Sequence, residues 1–386
     1  MNFDLSSDQK LLVDTVANFL RKESPVSRLR TMRENPVGYS KDLWRQMGEL
    51  GWLAIGFSEE AGGLGGSFVD VSLILEKFGT TLVPEPYIPS VVLAGSVLAS
   101  LATPEQRQRW LEPAIAGQTT LALAYAEREG RFDPCRVATR AASAGGGYKL
   151  SGEKTFVLNG HAADAVIVSA RTSGGVADHG GISAFVVDPK SAGVTVRAIK
   201  TMDGHRAAIV TLQDVVVGAQ DRLGADGGAG AALERALDRA AAAACAEGIG
   251  IMQTVLGMTR DYLCTREQFG VKIGTFQALQ HRCVDMFVET ELAKSLSILA
   301  SIKADEVDDV DRKTAISAAK VQLALSGRFV TQQGIQLHGG IGVTDEHDVG
   351  LYFKRMQILN TLFGDEEHHL TRFASLPTFT ERVTET

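Results

Sequence analysis

The sequence predicts a mainly α-helical protein with a β-domain, in which an N-terminal helical domain precedes a middle antiparallel β-barrel or sandwich and a C-terminal four-helix bundle. Three observations support this. Apolar residues recur with helical spacing over residues 4–118, short β-rich runs replace them over 119–220, and long apolar helical stretches return after 229. Helices and strands in separate blocks indicate segregated domains. We therefore predict domains at 1–118, 119–220 and 229–386.

The N-terminal block contains several helix signals. Ser6 or Ser7 can cap a first helix, and Thr103 followed by Pro104 is typical of a helix start. Further helices are expected over 71–78 and 91–101. The glycine-rich segment 59–66 lacks the Lys-Ser/Thr pair of a phosphate-binding loop and no strand precedes it, so it is expected to be a plain loop.

The middle block consists of short runs rich in β-branched and aromatic residues, separated by Gly, Asn or Asp. The expected strands lie at 148–150, 155–158, 165–168, 182–187, 194–196 and 209–212. In the third block, Gly248 and Gly250 are expected to loosen the first long helix. The four predicted helices of that block span 231–265, 276–303, 312–337 and 350–363.

Composition narrows the possible partners. Of the 386 residues, 45% are hydrophobic and 22% charged, which suits a sizeable core. The net charge is -7 and Lys and Arg form no basic stripe, so we expect no nucleic-acid partner. The apolar stretches are too short, or too rich in Gly, Ala and interrupting charges, to predict a membrane span.

The cysteines and the N-terminus favour the cytoplasm. Cys135, Cys245, Cys264 and Cys283 show no C-x-x-C spacing, so neither a disulfide framework nor a zinc site is expected. The N-terminus, residues 1–5, has no basic region followed by an apolar region. A signal peptide begins with these two regions, so none is expected. We predict a cytoplasmic protein without a metal site.

Residues 266–281 carry the strongest functional signal. The guanidinium of Arg266 is a permanently charged, forked donor that suits a diphosphate. The other candidates are amide donors and apolar rings, namely Gln268, Gln277 and Gln280 with Phe269 and Phe276. Such a cluster can bind a planar ligand that bears phosphate. The alternative is a loop between two helices, with Gly270 and Gly274 as turn residues and the Phe side chains in the core.

A second motif lies at residues 336–342, at the end of the third predicted bundle helix. Gln336 is followed at fixed spacing by Gly339 and Gly340, and two adjacent glycines let a backbone approach a ligand closely. A helix C-cap explains Gly339 alone. His338 is expected to be structural or on the surface.

The two motifs in this order resemble the acyl-CoA dehydrogenase family. Residues 4–9 look like its opening helix, 152–160 like its central strand and 210–217 like its last strand before the bundle. The resemblance covers almost the whole chain and is strongest to the small-subunit type of pimeloyl-CoA and steroid-side-chain dehydrogenases. It implies FAD-dependent α,β-desaturation of an acyl-CoA thioester, with hydride passing to flavin N5 and electrons then passing to an electron-transferring flavoprotein.

The resemblance also implies residue roles. The family binds FAD through the positions of Arg266, Phe269 and Gln277. The loop at residues 336–340 in relatives meets the FAD of the neighbouring subunit, so at least a dimer is expected, either a homotetramer or a heterotetramer with a larger homologous subunit. An aromatic side chain at the Phe156 position packs on the isoalloxazine ring in relatives.

Two positions depart from the family pattern. Leu158 stands where relatives usually have a Thr or Ser that bonds flavin N5, and leucine cannot make that bond. Residues 124–130 take the place of a Thr-Glu-Pro-x-x-Gly-Ser-Asp loop, of which only Glu127 matches. These departures favour an alternative in which the chain completes the flavin site of a larger partner.

Desaturation requires a carboxylate base for the α-proton of the thioester. In the family this Glu follows the fourth bundle helix, where the nearest acid here is Asp365. Gly364 is the other candidate for the position that corresponds to this Glu. In that register the position would have no acidic side chain. Some relatives place the Glu where this chain has Ala240, and Glu247 lies two turns further on. Alternatively, Asp365 only caps the next helix.

Three hypotheses follow. The first is an FAD-dependent acyl-CoA dehydrogenase, with Asp365 as the candidate base and Glu247 as a weaker alternative. The second is a subunit with little catalysis of its own, which completes the FAD site of a heterotetramer. The third is a flavin-dependent monooxygenase on the same fold.

Overall fold

A computed structural model describes residues 4–377 of the chain. Residues 1–3, on which the signal-peptide prediction partly depends, and residues 378–386, the end of the predicted third domain, lie outside the described part. The chain forms two compact units. The first comprises Met1–Arg30, Phe68–Val83 and Ala241–Thr386, and the second Thr31–Ser67 and Pro84–Ala240. The division into three domains stays a prediction.

The helices are α1 (Ser7–Glu23), α2 (Ser27–Glu34), α3 (Lys41–Glu49), α4 (Phe68–Thr81), α5 (Ser96–Leu101), α6 (Pro104–Gln106), α7 (Glu112–Ile115), α8 (Gly230–Thr265), α9 (Gln277–Lys303), α10 (Asp309–His338), α11 (Val349–Thr361) and α12 (Glu366–Ala374). The predicted helix at 91–101 begins as π-helical turns over Tyr87–Gly95, and only its end is α-helical. Residues 59–66 contain a single 3-10 turn, Glu59–Ala61, that ends at Gly62.

Local capping fixes where α1 and α6 begin. The Ser6 hydroxyl accepts from Gln9 N, and the Gln9 side chain accepts from Ser6 N in return. Thr103 and Gln106 form the same reciprocal pair at α6. The Gln9 amide also donates to Asp70 Oδ1 at 3.0 Å, which ties α1 to α4. Of the two serines expected as caps of α1, Ser6 is the cap.

Helices α4 and α8 cross in backbone contact. A Cβ added at Gly79 would lie 2.0 Å from the Glu247 carbonyl oxygen, and one at Gly250 would lie 1.9 Å from the Glu76 carbonyl oxygen. Only glycine leaves room for this approach. The prediction that Gly248 and Gly250 loosen the helix is wrong, because α8 is continuous through both and Gly250 is a packing residue.

Helix α8 is also the one helix in the described range 4–377 that is long and apolar enough to cross a membrane by length and composition. In this structure 72% of its most apolar window is buried. Such burial is typical of a helix at the core of a folded unit.

The strands all lie in the second unit, except for a two-stranded hairpin in the first. They are β1 (Leu121–Ala124), β2 (Arg140–Ala144), β3 (Gly147–Leu158), β4 (Ala165–Arg171), β5 (Ile182–Val187), β6 (Val194–Lys200), β7 (Arg206–Gly218), β8 (Arg222–Leu223), β9 (Glu267–Gln268) and β10 (Val271–Lys272). Strands β1, β2 and β8 and the two hairpin strands β9 and β10 are missing from the sequence prediction.

The large sheet has the order β6-β7-β3-β2-β4-β5-β8, and β1 pairs with β4 outside this path. Its pairings are antiparallel except at β4, where Leu121 pairs in parallel with Ala165 and Arg140 with Arg171. Leu150 and Val157 of β3 are buried in one apolar cluster with five residues of β7, namely Ala208, Val210, Leu212, Val215 and Val217. Strands β1, β4 and β5 are buried along their whole length, as expected for the middle of a domain.

The α4–α8 crossing predicts opposite effects for two alanine substitutions in the same helix. Gly250→Ala forces the helices apart and should lower the free energy of unfolding by about 1–3 kcal/mol or more. Gly257→Ala is the matched control, because its Cβ would meet no atom within 4 Å. Alanine there should be neutral or stabilising by up to about 1 kcal/mol. Urea unfolding followed by circular dichroism measures both, and equal effects would contradict this account of the crossing.

Candidate functional site

The first motif forms the hairpin that joins α8 to α9. Strands β9 and β10 pair Gln268 with Val271, and the two-residue turn consists of Phe269 and Gly270. Both turn residues have positive φ, +55° and +79°. This is the conformation that tight two-residue hairpins require, and Gly270 adopts it without strain. The hairpin therefore holds Phe269 at its tip.

The predicted ligand groups of this hairpin lie on the surface of the first unit. The Phe269 side chain is 91% exposed, and its ring meets that of Phe276 edge to face with centroids 6.2 Å apart. Arg266 and Gln277 are exposed, and within the described residues their side chains make no hydrogen bond or ion pair. A cation, an amide and two aromatic rings are thus available to a ligand. This arrangement favours the binding of a planar, phosphate-bearing cofactor over the alternative of a connecting loop with its Phe side chains in the core.

The other two amides of the motif make local hydrogen bonds. Gln268 Nε2 donates to the Glu267 carbonyl at 2.8 Å, and Gln280 Nε2 donates to the Gly274 carbonyl at 2.9 Å. The second bond closes the turn before α9. Both side chains are exposed, and their amide oxygens face no partner in the described chain.

The second motif ends α10. Gly339 leaves the helix at φ +64° and ψ -143°, and the chain continues through 3-10 turns over Gly339–Val343. A Cβ added at Gly339 or Gly340 would meet nothing within 4 Å, so the outer side of this loop is open. Gln336 is exposed one turn before. The loop can therefore receive a ligand or another chain in close backbone contact.

His338 is a structural residue of this loop. Its ring is buried, and Nδ1 lies 2.7 Å from the Gly334 carbonyl oxygen. The ring also packs between those of Tyr262 and His347, at centroid distances of 4.7 and 4.5 Å. Burial lowers the pKa of His338, which keeps the imidazole neutral.

Phe156 lies on β3 in the second unit. Its φ is +52°, at an irregularity where the pairing of β3 with β7 breaks between Lys154 and Val157. The side chain is 40% exposed. A bulge of this kind re-aims a side chain, and here it turns an aromatic ring toward the surface of the unit.

Glu127 anchors the segment at 124–130. Its carboxylate pairs with Lys154 Nζ at 2.7 Å and accepts from the backbone N–H groups of Ala138 and Thr139. Lys154 is fully buried and also donates to Ser169 Oγ at 3.0 Å. Burial lowers the pKa of Lys154 to about 8, against the opposing effect of Glu127. The one residue that matches the family loop is thus committed to an internal ion pair.

Asp365 caps α12. Its Oδ1 accepts from His368 N at 2.9 Å, and its extended backbone is that of an N-cap residue. The capping alternative is thus observed directly. The carboxylate is only partly buried, and a cap leaves its second oxygen available, so capping does not remove Asp365 as a candidate base.

The segment between α11 and Asp365 is tightly fixed. Phe363 and Gly364 both have positive φ, +60° and +112°. A Cβ at Gly364 would lie 2.5 Å from His369 Nε2, so this position cannot carry an acidic side chain without a rearrangement. The buried Lys320 ammonium donates to the Leu359 and Leu362 carbonyls at 2.7 and 2.9 Å. It thereby closes the end of α11.

Glu247 is buried and paired. Its two oxygens accept from Arg355 Nε and Nη2 at 2.6 and 2.9 Å, which is a bidentate ion pair between α8 and α11. A guanidinium that holds both oxygens in a buried ion pair leaves neither of them free to face a substrate. This geometry favours a structural role and leaves Asp365 as the stronger candidate base.

An apolar groove lies between α8 and α9, next to the hairpin. Its volume is about 550 Å³, and it is lined mostly by apolar side chains such as Leu256, Leu263 and Phe287. Further along α9, large apolar side chains stay exposed at helical spacing. They are Val284, Phe287, Val288, Leu292, Ile298, Leu299 and Ile302. A contiguous exposed apolar face of this kind is typical of a protein interface.

Comparison with known families accounts for nearly the whole chain. Three family models match in order, and all three describe acyl-CoA dehydrogenases. The N-terminal domain model matches residues 6–118, the middle domain model 122–215 and the C-terminal domain model 226–375.

Individual relatives agree with these models. The acyl-CoA dehydrogenase IpdE2 of Mycolicibacterium smegmatis is 32% identical over 371 residues, which cover 95% of this chain and 98% of that protein. A chain in the crystal structure of the ChsE4–ChsE5 complex from Mycobacterium tuberculosis has 27% identity and a TM-score of 0.87, with 100% of both chains covered. Butyryl-CoA dehydrogenase from Megasphaera elsdenii has 25% identity and a TM-score of 0.85, with coverage of 97% and 99%.

Proposed function

Because the chain belongs to the acyl-CoA dehydrogenase family, we propose that it takes part in FAD-dependent α,β-dehydrogenation of an acyl-CoA thioester. The members of this family are oxidoreductases, and the chain has the N-terminal helices, the middle sheet and the C-terminal bundle of the family. The single observation that supports FAD binding most directly is the hairpin with Arg266, Phe269 and Gln277. These side chains are exposed and have no hydrogen-bonding partner within the described chain.

The chain's own residues fit the cofactor. Arg266 would hold the diphosphate, and Gln277 would donate to phosphate or sugar oxygens. Phe269 and Phe276 already form an edge-to-face pair that can cover a planar ring system. The open outer side of Gly339 and Gly340 suits a cofactor or a neighbouring subunit at close range. FAD, when bound, would supply the acceptor for the hydride that leaves the β-carbon.

Asp365 is the residue we propose as base. Its cap bond to His368 N orients the carboxylate, while the positive-φ residues Phe363 and Gly364 and the buried Lys320 fix the segment that carries it. A base in such a fixed position removes the α-proton without reorganisation of the loop. The electron-transferring flavoprotein is the acceptor that we expect to reoxidise the enzyme, and a cytoplasmic location is part of the same proposal.

A second candidate function is a small subunit that completes the site of a homologous partner. The specific observation in its favour is that the acids are engaged: Glu247 is held by Arg355, Glu127 is held by Lys154, and Gly364 has no room for a side chain. One solved structure with the same fold is a complex of two differently named chains, ChsE4 and ChsE5. In such a heteromer the partner would carry the catalytic Glu.

Both candidates require an oligomer. The exposed apolar face of α9 and the adjoining groove support an interface, and the open Gly339–Gly340 loop supports a flavin site shared with another subunit. A homotetramer and a heterotetramer with a larger homologue both fit this surface.

Removal of the Arg266 charge should weaken FAD binding. Arg266→Ala should raise the Kd for FAD by roughly 10- to 100-fold, since a hydrogen bond to a charged group contributes about 1.5–3 kcal/mol. Lys22→Ala removes one exposed charge from α1 and is the matched control. Flavin content after gel filtration and fluorescence titration of the apoprotein measure the effect. Normal flavin occupancy in Arg266→Ala, with an unchanged circular dichroism spectrum, would contradict the assignment.

Asp365→Asn separates the two candidate functions. Asn caps a helix about as well as Asp, so the fold should be kept. If this chain is catalytic, the rate of anaerobic flavin reduction by an acyl-CoA should fall by about 10²- to 10⁴-fold while acyl-CoA still binds. If the parent chain reduces flavin only after co-expression with a homologous partner, and the variant does so at the same rate, the second candidate is supported and Asp365 is a cap.

The α9 face predicts the effect of a charge on assembly. Leu292→Glu places a carboxylate in the middle of the apolar face and should dissociate the oligomer. Leu11→Glu is the control, because Leu11 is an exposed leucine on α1, outside that face. Light scattering after gel filtration gives the mass of each. A parent chain that is monomeric, saturated with flavin and active would rule out the shared site.

A further inference from the structure

Three side chains with metal-binding atoms come together in the second unit, which does not contain the β9–β10 hairpin. The Cys135 thiol, the His179 imidazole and the Glu234 carboxylate each offer one ligand atom, and these atoms all lie within 4.8 Å of one another. Cys135 Sγ is 3.9 Å from Glu234 Oε1. The three residues come from separate segments: the loop before β2, the loop between β4 and β5, and the first turns of α8.

One buried guanidinium fixes the first two segments. Arg171 ends β4, and its Nη2 donates to the Cys135 carbonyl at 2.8 Å and to the Asp178 carbonyl at 2.9 Å. The same side chain donates to the Val137 and Gly180 carbonyls at 3.1 and 2.8 Å. The residues adjoining His179 on both sides and the backbone of Cys135 are thus bonded to one rigid, planar group.

The third segment is attached by backbone contacts. Ala229 N donates to the Ile182 carbonyl at 2.8 Å, and Gly181 N donates to the Gly227 carbonyl at 3.2 Å. A Cβ at Gly230 would lie 3.2 Å from the His179 carbonyl oxygen, so the loop packs closely on the start of α8. Glu234 follows Gly230 by one helical turn and therefore lies on the same side of α8.

We propose that Cys135, His179 and Glu234 bind a divalent cation of the zinc class, with a water molecule as fourth ligand. A thiolate, an imidazole and a carboxylate are the three ligand types that Zn²⁺ accepts in proteins, and three protein ligands leave one position open. Ligand atoms in a tetrahedral zinc site lie about 3–4 Å apart, so a small closure of the exposed His179 ring is enough. This proposal is independent of the flavin chemistry.

The local charges suit a cation. The Cys135 thiol lies 3.9 Å from Glu234 Oε1, and Asp133 Oδ1 accepts from Cys135 N at 2.8 Å. Two carboxylates thus place negative charge beside the buried sulfur. When the metal binds, the S–H bond is replaced by an S–metal bond and the proton passes to solvent. The cation then offsets the charges of the thiolate and the carboxylate.

Such a site would cross-link two loops to the start of α8. The spacing of the cysteines predicts no zinc site, because no two of them are close in sequence, but the fold joins ligands that are distant along the chain. We therefore expect Zn²⁺ to raise the thermal stability of the protein. The metal binds the three ligands in the folded chain, whereas in the unfolded chain these ligands are far apart.

Cobalt(II) titration of the whole chain tests the proposal. Co²⁺ should bind at one equivalent with a thiolate-to-metal charge-transfer band, and Zn²⁺ should displace it. Cys135→Ser should abolish the band, and His179→Gln should weaken Co²⁺ binding by at least about 10-fold while the fold is kept, since His179 is exposed. Cys264→Ser removes an exposed thiol and is the matched control, in which the band should persist.

Three outcomes would overturn the site. The first is no charge-transfer band in the parent chain at metal concentrations that saturate ordinary zinc sites. The second is a band that survives Cys135→Ser but disappears in Cys264→Ser, which would assign binding to the surface thiol. As a second readout, Zn²⁺ should raise the Tm of the parent chain but not that of His179→Gln. An equal rise in both would also contradict the proposal.

Discussion

The close crossing of α4 and α8 is the constraint on which the first unit depends. Gly79 of α4 and Gly250 of α8 let the two helix backbones touch. Each glycine faces a backbone carbonyl of the other helix, and a side chain at either position would collide with it. Glu247 lies in this crossing segment of α8, and its side chain is paired with Arg355 of α11. The register of α8 that the crossing fixes therefore also fixes where the helix ends and where Arg266 leads into the β9–β10 hairpin. A shift of one residue would turn each of these groups by about 100° around the helix axis.

Buried cations organise the irregular segments of both units. Lys320 donates to two carbonyls at the end of α11, and Arg171 donates to carbonyls of the loops that carry Cys135 and His179. The carbonyl groups of a loop lack the hydrogen bonds that a helix or a sheet provides. A charged donor that bonds several of these carbonyls supplies the missing hydrogen bonds. The cost is desolvation, visible in the pKa of Lys320, which burial lowers to about 8. Both cations therefore act as substitutes for regular secondary structure.

Much of the fold could be predicted because long apolar periodicity is a local property. The bundle helices expected at 231–265 and 276–303 are observed at Gly230–Thr265 and Gln277–Lys303. Strand β1 could not be predicted in this way, since its sequence Leu-Ala-Leu-Ala is equally compatible with a helix. Parallel pairing with Ala165 and its neighbours decides its conformation. The packing role of Gly250 was missed for the same reason, because it depends on a helix far away in the sequence.

The residues of the candidate sites also differ in whether local sequence can identify them. The hairpin residues and the capping role of Asp365 follow from short motifs, and the sequence is enough to select them. The bidentate pair of Glu247 with Arg355 and the cluster of Cys135, His179 and Glu234 join residues from distant segments, so no spacing rule identifies them. Only the folded chain brings their charges within reach of one another.

The distribution of satisfied polar groups is the strongest structural argument about how this chain works. Two of its acids, the partly buried Glu127 and the buried Glu247, are held by internal cations, whereas Arg266 and Gln277 at the β9–β10 hairpin are exposed without a partner in the described residues. A large exposed apolar patch rimmed by polar groups is typical of a surface that another molecule covers. The apolar face of α9 directly follows this hairpin along the chain. Exposed donors next to an exposed apolar helix face suit a surface that a neighbouring subunit covers better than a site that this chain encloses alone.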